Sequence, residues 1–308
     1  PEGYKGAPVV MERHLEEPAR ERQLLEQFPM AYEGDAVAQQ YQQNPYPRWR
    51  SLERQGPAEL FPEPRVPPTE SLKILVAGCG TGRHALLCAQ RFRDAEVWGI
   101  DLSGPSLAYA QRQAERLHIE RVHFLQADLL ALEGARLPES FDLIESIGVL
   151  HHLKDPAQGL ACLRARLAPH GWMRLGFYSR RARQGLEPAR KLARQLRHLN
   201  LRELRARLMK ELAPQDLDFL AKVKDFYSLS GLRDLLLHER ESEYSLPELS
   251  ALLSQSGLQF VGFDSLPSRI LNNFRQTYGS GDLEGWDRFE QQHPQTFLGM
   301  YVFWCRPC

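Results

Sequence analysis

Residues 72–84, LKILVAGCGTGRH, constrain this chain more than any other stretch. An apolar run (Leu72, Ile74, Leu75, Val76, Ala77) passes directly into Gly78-Cys79-Gly80-Thr81-Gly82, and an Ala/Leu-rich helical pattern follows. A strand–glycine loop–helix unit brings bare backbone and a helix N-terminus up against a ligand. The loop reads G-x-G-x-G, and Arg83 stands where a dinucleotide-binding fingerprint has its third glycine.

From residue 72 the sequence alternates strand and helix patterns. Strand-like runs cover Leu72–Ala77, Glu96–Leu102, Val122–Ala127, Phe141–Ile147 and Met173–Tyr178, and helix-like runs cover Arg83–Arg93, Ser106–His118 and Pro156–Ala168. This predicts an α/β fold with a doubly wound, mostly parallel sheet. Residues 180–240 break the rhythm, with leucines at helical spacing among arginines, and read as an inserted helical layer. The alternation returns with a helix at Leu246–Ser254 and strands at Leu258–Asp264 and Met300–Cys305, which brings the sheet to seven strands. Before the glycine loop lie helical patterns near Arg13–Phe28 and Ala36–Gln43 and a proline-rich linker, Phe61–Pro68. The expected organisation is a helical, proline-rich lid and linker (1–70), a Rossmann-like core (71–179), an arginine-rich helical insertion (180–244) and a C-terminal completion of the sheet (245–308).

Three strand ends carry polar groups to one edge of that sheet. Asp101 closes Val97-Trp-Gly-Ile-Asp101 and is placed, with Leu102 beside it, to accept hydrogen bonds from ribose hydroxyls. Asp128 ends the next strand and, with the Leu129 backbone, suits an adenine edge; capping the following turn is the competing role. On the fourth strand Glu145, Ser146 and His151 would sit where a methyl donor and its acceptor meet. The missing third glycine favours S-adenosylmethionine (SAM) over a pyrophosphate dinucleotide, because a methionine moiety lies over the loop Gly78, Cys79, Gly80 and Gly82 where a dinucleotide places phosphate.

Together these residues resemble the class I SAM-dependent methyltransferases. The match runs over Val76-Ala-Gly-Cys-Gly-Thr-Gly82, Ile100-Asp101, Ala127-Asp128, Phe141-Asp-Leu-Ile and Val149-Leu-His-His-Leu. The resemblance implies a sheet closed by one antiparallel strand near the C-terminus, SAM as cofactor and S-adenosylhomocysteine as product. Tyr41-Gln-Gln-Asn44-Pro-Tyr46-Pro-Arg-Trp49 and Asp225-Phe-Tyr-Ser-Leu-Ser230 further resemble stretches of bacterial methyltransferase domains that follow tetratricopeptide repeats, although this chain contains no such repeats.

Methyl transfer is an in-line displacement on an activated donor, so the protein must align the partners, exclude water and accept any proton released. Tyr41, Asn44 and Tyr46 are the candidate lid residues, with Trp49 offering a further flat face and Tyr178 and Tyr227 as lesser candidates for the acceptor pocket. The acceptor is expected to be an N or O atom on a peptide, a protein or a small molecule. A NAD-dependent oxidoreductase and a non-catalytic SAM-binding partner protein stay as alternatives.

Charge and cysteine usage narrow the partners. Lys+Arg and Asp+Glu balance at 39 each, yet residues 180–210 hold eleven Lys/Arg against Glu187 and Glu203. A solvated helical face, a contact with a second copy or with a repeat-domain partner, and docking of an acidic peptide all fit. Nucleic acid is disfavoured because no aromatic-interleaved basic groove accompanies the charge. No apolar run approaches the roughly 18–20 residues that span a bilayer, and no metal site is expected, since the terminal Cys305-Arg-Pro-Cys308 lacks a second pair. Five cysteines in mostly apolar settings point to reduced thiols and a cytoplasmic protein.

Overall fold

The computed structural model describes residues 19–29, 36–43, 45–47, 49, 51–52, 72–264, 266–278 and 282–308. Asn44 and the proline-rich stretch Phe61–Pro68 lie outside the described residues. Strand β1 (Lys73–Ala77) pairs in parallel with β2 (Glu96–Asp101) and with β4 (Phe141–Ile147). Outside them lie β3 (Val122–Gln126), parallel to β2, and β5 (Leu167–Ser179), parallel to β4. Strand β8 (Tyr301–Pro307) inserts antiparallel between β5 and β7 (Leu258–Phe263). The order is therefore β3-β2-β1-β4-β5-β8-β7, with a two-residue β6 (Glu243–Tyr244) beside the end of β5. The seven expected strands and the one antiparallel strand are present, and β6 is an addition.

Strand periodicity divides the core. Ile74 and Val76 of β1 pack on one face of the sheet with Leu86, Cys88 and Leu107, while Leu75 and Ala77 pack on the other with Leu160, Met173 and Phe303. Side chains on a strand alternate between faces, so a continuous apolar run such as β1 fits only a sheet covered on both sides. The winding reverses between β1 and β4, because β2 and β3 lie to one side and β5 to the other. In open α/β sheets that reversal opens a crevice outside the carboxyl ends of the strands.

One boundary and two helices differ from expectation. The helix Pro156–Ala165 stops short of Ala168 because β5 begins at Leu167, which pairs with Phe141. Helices Ser268–Tyr278 and Leu283–Gln292 were not expected; they are joined by Phe274 stacked on Trp286 with ring centroids 3.7 Å apart. The insertion carries a core of its own, in which Leu186, Ala193, Leu204, Leu208 and Leu232 are buried together.

Much of the arginine run is paired with acids from later in the chain. Arg180 reaches Glu248, Arg181 reaches Asp287 and Glu290, and Arg183 and Arg190 both reach Glu241 and Glu243. For these four arginines the uneven charge along the sequence is balanced locally in the fold. All five cysteines are free thiols. No helix among the described residues is long and apolar enough to cross a membrane.

Candidate active site

The loop after β1 turns tightly enough that Gly78 and Cys79 both donate to the Ile100 carbonyl of β2, at 2.8 and 2.9 Å. Gly80 has φ +52°, and a Cβ there would lie 2.8 Å from the Tyr46 carbonyl oxygen. No side chain fits that contact, so the glycine brings the segment around Tyr46 directly onto the loop. Gly82 plays a different part: at φ +77°, a Cβ on it would lie 2.5 Å from the Ala110 Cβ, and it faces helix packing rather than the crevice.

Asp101, at the carboxyl end of β2, accepts from the Gly80 N–H through Oδ2 and from the Ser103 N–H through Oδ1, each at 2.8 Å. Burial raises its pKa and these backbone N–H groups oppose the rise. Each oxygen keeps a lone pair for a further donor. Asp128, at the end of β3, caps the short turn Leu129–Ala131 by accepting from Leu130 N–H at 2.8 Å.

A cavity of about 720 Å³ runs along this edge. Gly78, Cys79, Gly80, Asp101, Leu102, Asp128 and Leu129 line one end of it. The segment Ala36–Gln43, continuing to Pro47, forms a second wall with Tyr41 and Tyr46. The insertion forms the third with Asp225 and Asp234, beside Tyr178 and Arg183. The N-terminal wall is held in place by Ser103 Oγ donating to the Tyr41 carbonyl at 3.1 Å, by Thr81 Oγ1 donating to the Pro47 carbonyl, and by Trp49 Nε1 donating to the Thr81 carbonyl at 3.2 Å.

Two tyrosine–aspartate pairs close the far end. Tyr41 donates its hydroxyl hydrogen to Asp234 Oδ1 at 2.7 Å, and Tyr46 donates to Asp225 Oδ1 at 2.6 Å. His238 Nε2 lies 3.2 Å from the Tyr41 oxygen. The His238 Nδ1 accepts from the Arg240 N–H at 3.0 Å, which assigns the ring proton to Nε2 and makes it a donor to Tyr41. Burial and the neighbouring Asp234 charge hold the Tyr41 hydroxyl protonated, and burial does the same at Tyr46 with Asp225 beside it. Burial pushes the Asp234 carboxyl up to about 7; the Tyr41 hydrogen bond acts against this, and the Glu241 and Asp225 charges add to it. His152 stacks on His238 with ring centroids 3.7 Å apart. Burial lowers His152 to about 3 and His238 to about 4, so both are neutral at physiological pH.

Of the expected site residues, Tyr41, Tyr46, Gly78, Cys79, Gly80, Asp101, Leu102, Asp128 and Leu129 come together on this cavity. Asn44 lies outside the described residues, and Gly82 packs against Ala110. Glu145, Ser146 and His151 require correction, because none of the three lines the cavity. Glu145 follows Leu143 by two residues and so shares its face of β4. Its carboxylate meets His84, accepts from Cys88 Sγ at 3.6 Å and lies 3.4 Å from Arg174 Nη1. Ser146 is fully buried. His151 is fully buried against Tyr178, with ring centroids 4.1 Å apart, while its neighbour His152 faces the cavity. Tyr227 is 64% exposed and donates to the Ala221 carbonyl, away from the cavity.

His84, Cys88 and Glu145 gather three metal-ligating atoms within 4.8 Å of one another. Arg174 already places a cation on that carboxylate and a second contact on Asp264. Asp225 and Asp234, which line the cavity, and His238, which contacts the Tyr41 hydroxyl, were not among the expected residues. Their only sequence signal was the stretch beginning at Asp225, and nothing local ties Asp234 to Tyr41, 193 positions earlier.

Residues 74–171 match the family model described as a methyltransferase domain. An uncharacterized protein of Synechococcus sp., syc1184_c, is 30% identical over 268 residues, covering 79% of this chain and 63% of that protein. The ubiquinone biosynthesis O-methyltransferase of Leptothrix cholodnii is 32% identical over 138 residues, covering 44% of this chain and 57% of that enzyme. The chain thus spans less than two thirds of these relatives' length. Among solved structures, PKMT2 from Rickettsia typhi in complex with AdoHcy superposes with a TM-score of 0.60 at 17% identity, over 78% of this chain and 50% of that one. The sheet order and the glycine loop agree with this match: the α/β core of the chain has the class I methyltransferase fold, and residues 74–171 within it match a methyltransferase domain.

Proposed function

We propose that this chain transfers the methyl group of SAM to a nitrogen or oxygen atom of an acceptor bound at the tyrosine–aspartate end of the cavity. The observation that carries this reading is a single cavity reaching from Gly80, Asp101 and Asp128 to Tyr41, Tyr46 and Asp234. Its volume of about 720 Å³ falls in the usual range for small-molecule sites. Bound SAM supplies an activated methyl group on a sulfonium, so the chain's own residues need to bind, align and exclude water.

In this reading Asp101 receives the ribose hydroxyls on lone pairs not used by Gly80 and Ser103. Asp128 and Leu129 border the adenine, and the bare backbone of Gly78–Gly80 lies under the methionine part. Tyr41 and Tyr46 hold the acceptor end in shape. Relatives named as a ubiquinone biosynthesis O-methyltransferase and a trans-aconitate 2-methyltransferase support a small acceptor, and a peptide acceptor stays within this reading. The free thiols support a cytoplasmic setting in this reading.

Isothermal titration with SAM, S-adenosylhomocysteine and NAD tests the cofactor half. Saturable SAM binding without NAD binding is expected, and the reverse would sink the reading. Incubation with methyl-labelled SAM and source-cell extract, followed by mass spectrometry of the labelled species, tests the transfer itself.

A further inference from the structure

We infer that the methyl acceptor is an amine nitrogen held between the carboxylates of Asp225 and Asp234, and that Asp234 takes its proton before attack. This rests on the methyl-transfer reading above. Each carboxylate is fixed through one oxygen by a tyrosine from the N-terminal wall, Tyr46 for Asp225 and Tyr41 for Asp234. Neither second oxygen has a hydrogen-bond partner among the described residues, and both side chains line the same cavity. An ammonium brings three donors to two such acceptors, whereas a hydroxyl brings one and a carboxylate or phosphate would meet like charge.

The charges around Asp234 come from every wall. Tyr41 faces it from helix Ala36–Gln43, Asp225 from the turn Lys224–Tyr227 and Glu241 from beyond helix Leu229–Leu237. Arg183 is the cation that bears most on Asp234, but its guanidinium is already bound to Glu241 and Glu243 and lies 3.6 Å from the Tyr178 ring centroid; Arg83 and Arg240 also line the cavity. Lys222 and Lys224 are exposed at the mouth, where Lys222 reaches Gln295. Burial brings Asp234 to about 7, close to where a general base works best at neutral pH. The cationic sulfonium beside the acceptor lowers the pKa of the ammonium, against the rise that the two carboxylates give it.

The steps balance. The bound ammonium gives one proton to the Asp234 carboxylate, leaving a neutral amine with a free electron pair and Asp234 as the acid. That pair forms the N–CH₃ bond while the C–S bond breaks with its electrons retained on sulfur. The methylated ammonium departs with S-adenosylhomocysteine, and Asp234 returns its proton to water.

The test uses the full chain, methyl-labelled SAM and source-cell extract, with the labelled atom identified after base treatment and mass spectrometry. Base-stable N-methyl product is expected, and Asp234→Asn should reduce labelling at pH 7 by about a hundredfold or more with SAM affinity within about twofold. The pH profile separates a base from a structural carboxylate. Tyr41→Phe removes a bond that lowers the Asp234 pKa and should move the alkaline-rising limb to higher pH; Asp225→Asn removes a charge that raises it and should move the limb lower. Label in a methyl ester or ether, full labelling by Asp234→Asn, or coincident pH limbs in all three proteins would overturn the inference. SAM binding with no labelled amine would overturn it too, while loss of SAM binding in the parent chain would sink the methyl-transfer reading instead.

Discussion

The two ends of the cavity are built in contrasting ways. The end around Asp101 is assembled from strand ends and a glycine loop, with bonds such as Asp101 to Gly80 spanning 21 positions and Asp101 to Ser103 spanning two. The end around Asp234 is assembled from side chains 179 to 197 positions apart, joining the N-terminal wall to the insertion. Backbone geometry sets the first, and side-chain polarity with burial sets the second. A cofactor common to a large family suits the first kind of construction, because its shape is fixed. An acceptor particular to one protein suits the second, because a few side chains change it without disturbing the sheet.

The largest test of this contrast strikes the support of the second end. Arg183 is 3% exposed and binds Glu241 and Glu243 beneath the Tyr178 ring. Replacing it with Met leaves two partly buried carboxylates with Arg190 alone, and removing one partner of a buried ion pair costs about 3–5 kcal/mol. Chemical denaturation of Arg183→Met should show a loss of that order. A loss below about 1 kcal/mol would mean that Arg190 suffices and the insertion is not held by this cluster.

The first end is tested at Asp101. Asp101→Ala removes the charged acceptor of the Gly80 and Ser103 amides and, in the proposed reading, of the ribose hydroxyls. Hydrogen bonds to charged groups contribute about 1.5–3 kcal/mol, so SAM affinity should fall about 10- to 100-fold. Circular dichroism should stay unchanged. Unaltered affinity would remove Asp101 from the cofactor site.

The same contrast decides how much could be read from the sequence. Strands β1 to β4, the loop and the strand-end acids were legible because each is a local pattern: an apolar run, glycines at fixed spacing, an acid closing a strand. Glu145 was misplaced by the same reasoning, since it lies on the right strand but its face, shared with Leu143, turns it towards His84 and Cys88. His151 was chosen over His152 because adjacent histidines look alike in sequence; both are buried, and only His152 lines the cavity. Asp234 sits in a leucine-rich helix, where an acid reads as solvent-facing until a tyrosine from residue 41 buries it. Pairings across nearly 200 positions leave no spacing to read.

A smaller effect follows from the ionisable groups at the second end. His152 and His238, lowered to about 3 and about 4 from an ordinary 6.5, bind fewer protons folded than unfolded below pH 6.5, so their contribution to stability falls as pH drops. Asp234, raised to about 7 from 3.8, binds more protons folded than unfolded between those values, so its contribution falls as pH rises. The two slopes oppose each other between pH 4 and 6.5. Asp234→Asn removes the opposing slope, and unfolding free energy should then rise with pH more steeply by about 1.4 kcal/mol per unit. Urea midpoints at pH 5 and 6 for both proteins check this, and parallel slopes would show that Asp234 titrates normally.

The smallest effect separates the two tyrosine–aspartate pairs from each other. Asp234 is 5% exposed, whereas Asp225 is only half-buried, so water can replace the Tyr46 hydroxyl on Asp225 more readily than the Tyr41 hydroxyl on Asp234. A hydrogen bond whose loss water can repair contributes about 1 kcal/mol or less. Tyr46→Phe should therefore lower stability by about that amount. Its SAM affinity should also stay within about threefold, because the contact with Gly80 is made by the Tyr46 carbonyl, which the substitution keeps. Tyr41→Phe should cost more on both the unfolding midpoint and labelling rate, since it strips a buried carboxylate of its donor. Equal effects at the two positions would mean that burial does not distinguish the pairs and that the acceptor end works as one unit.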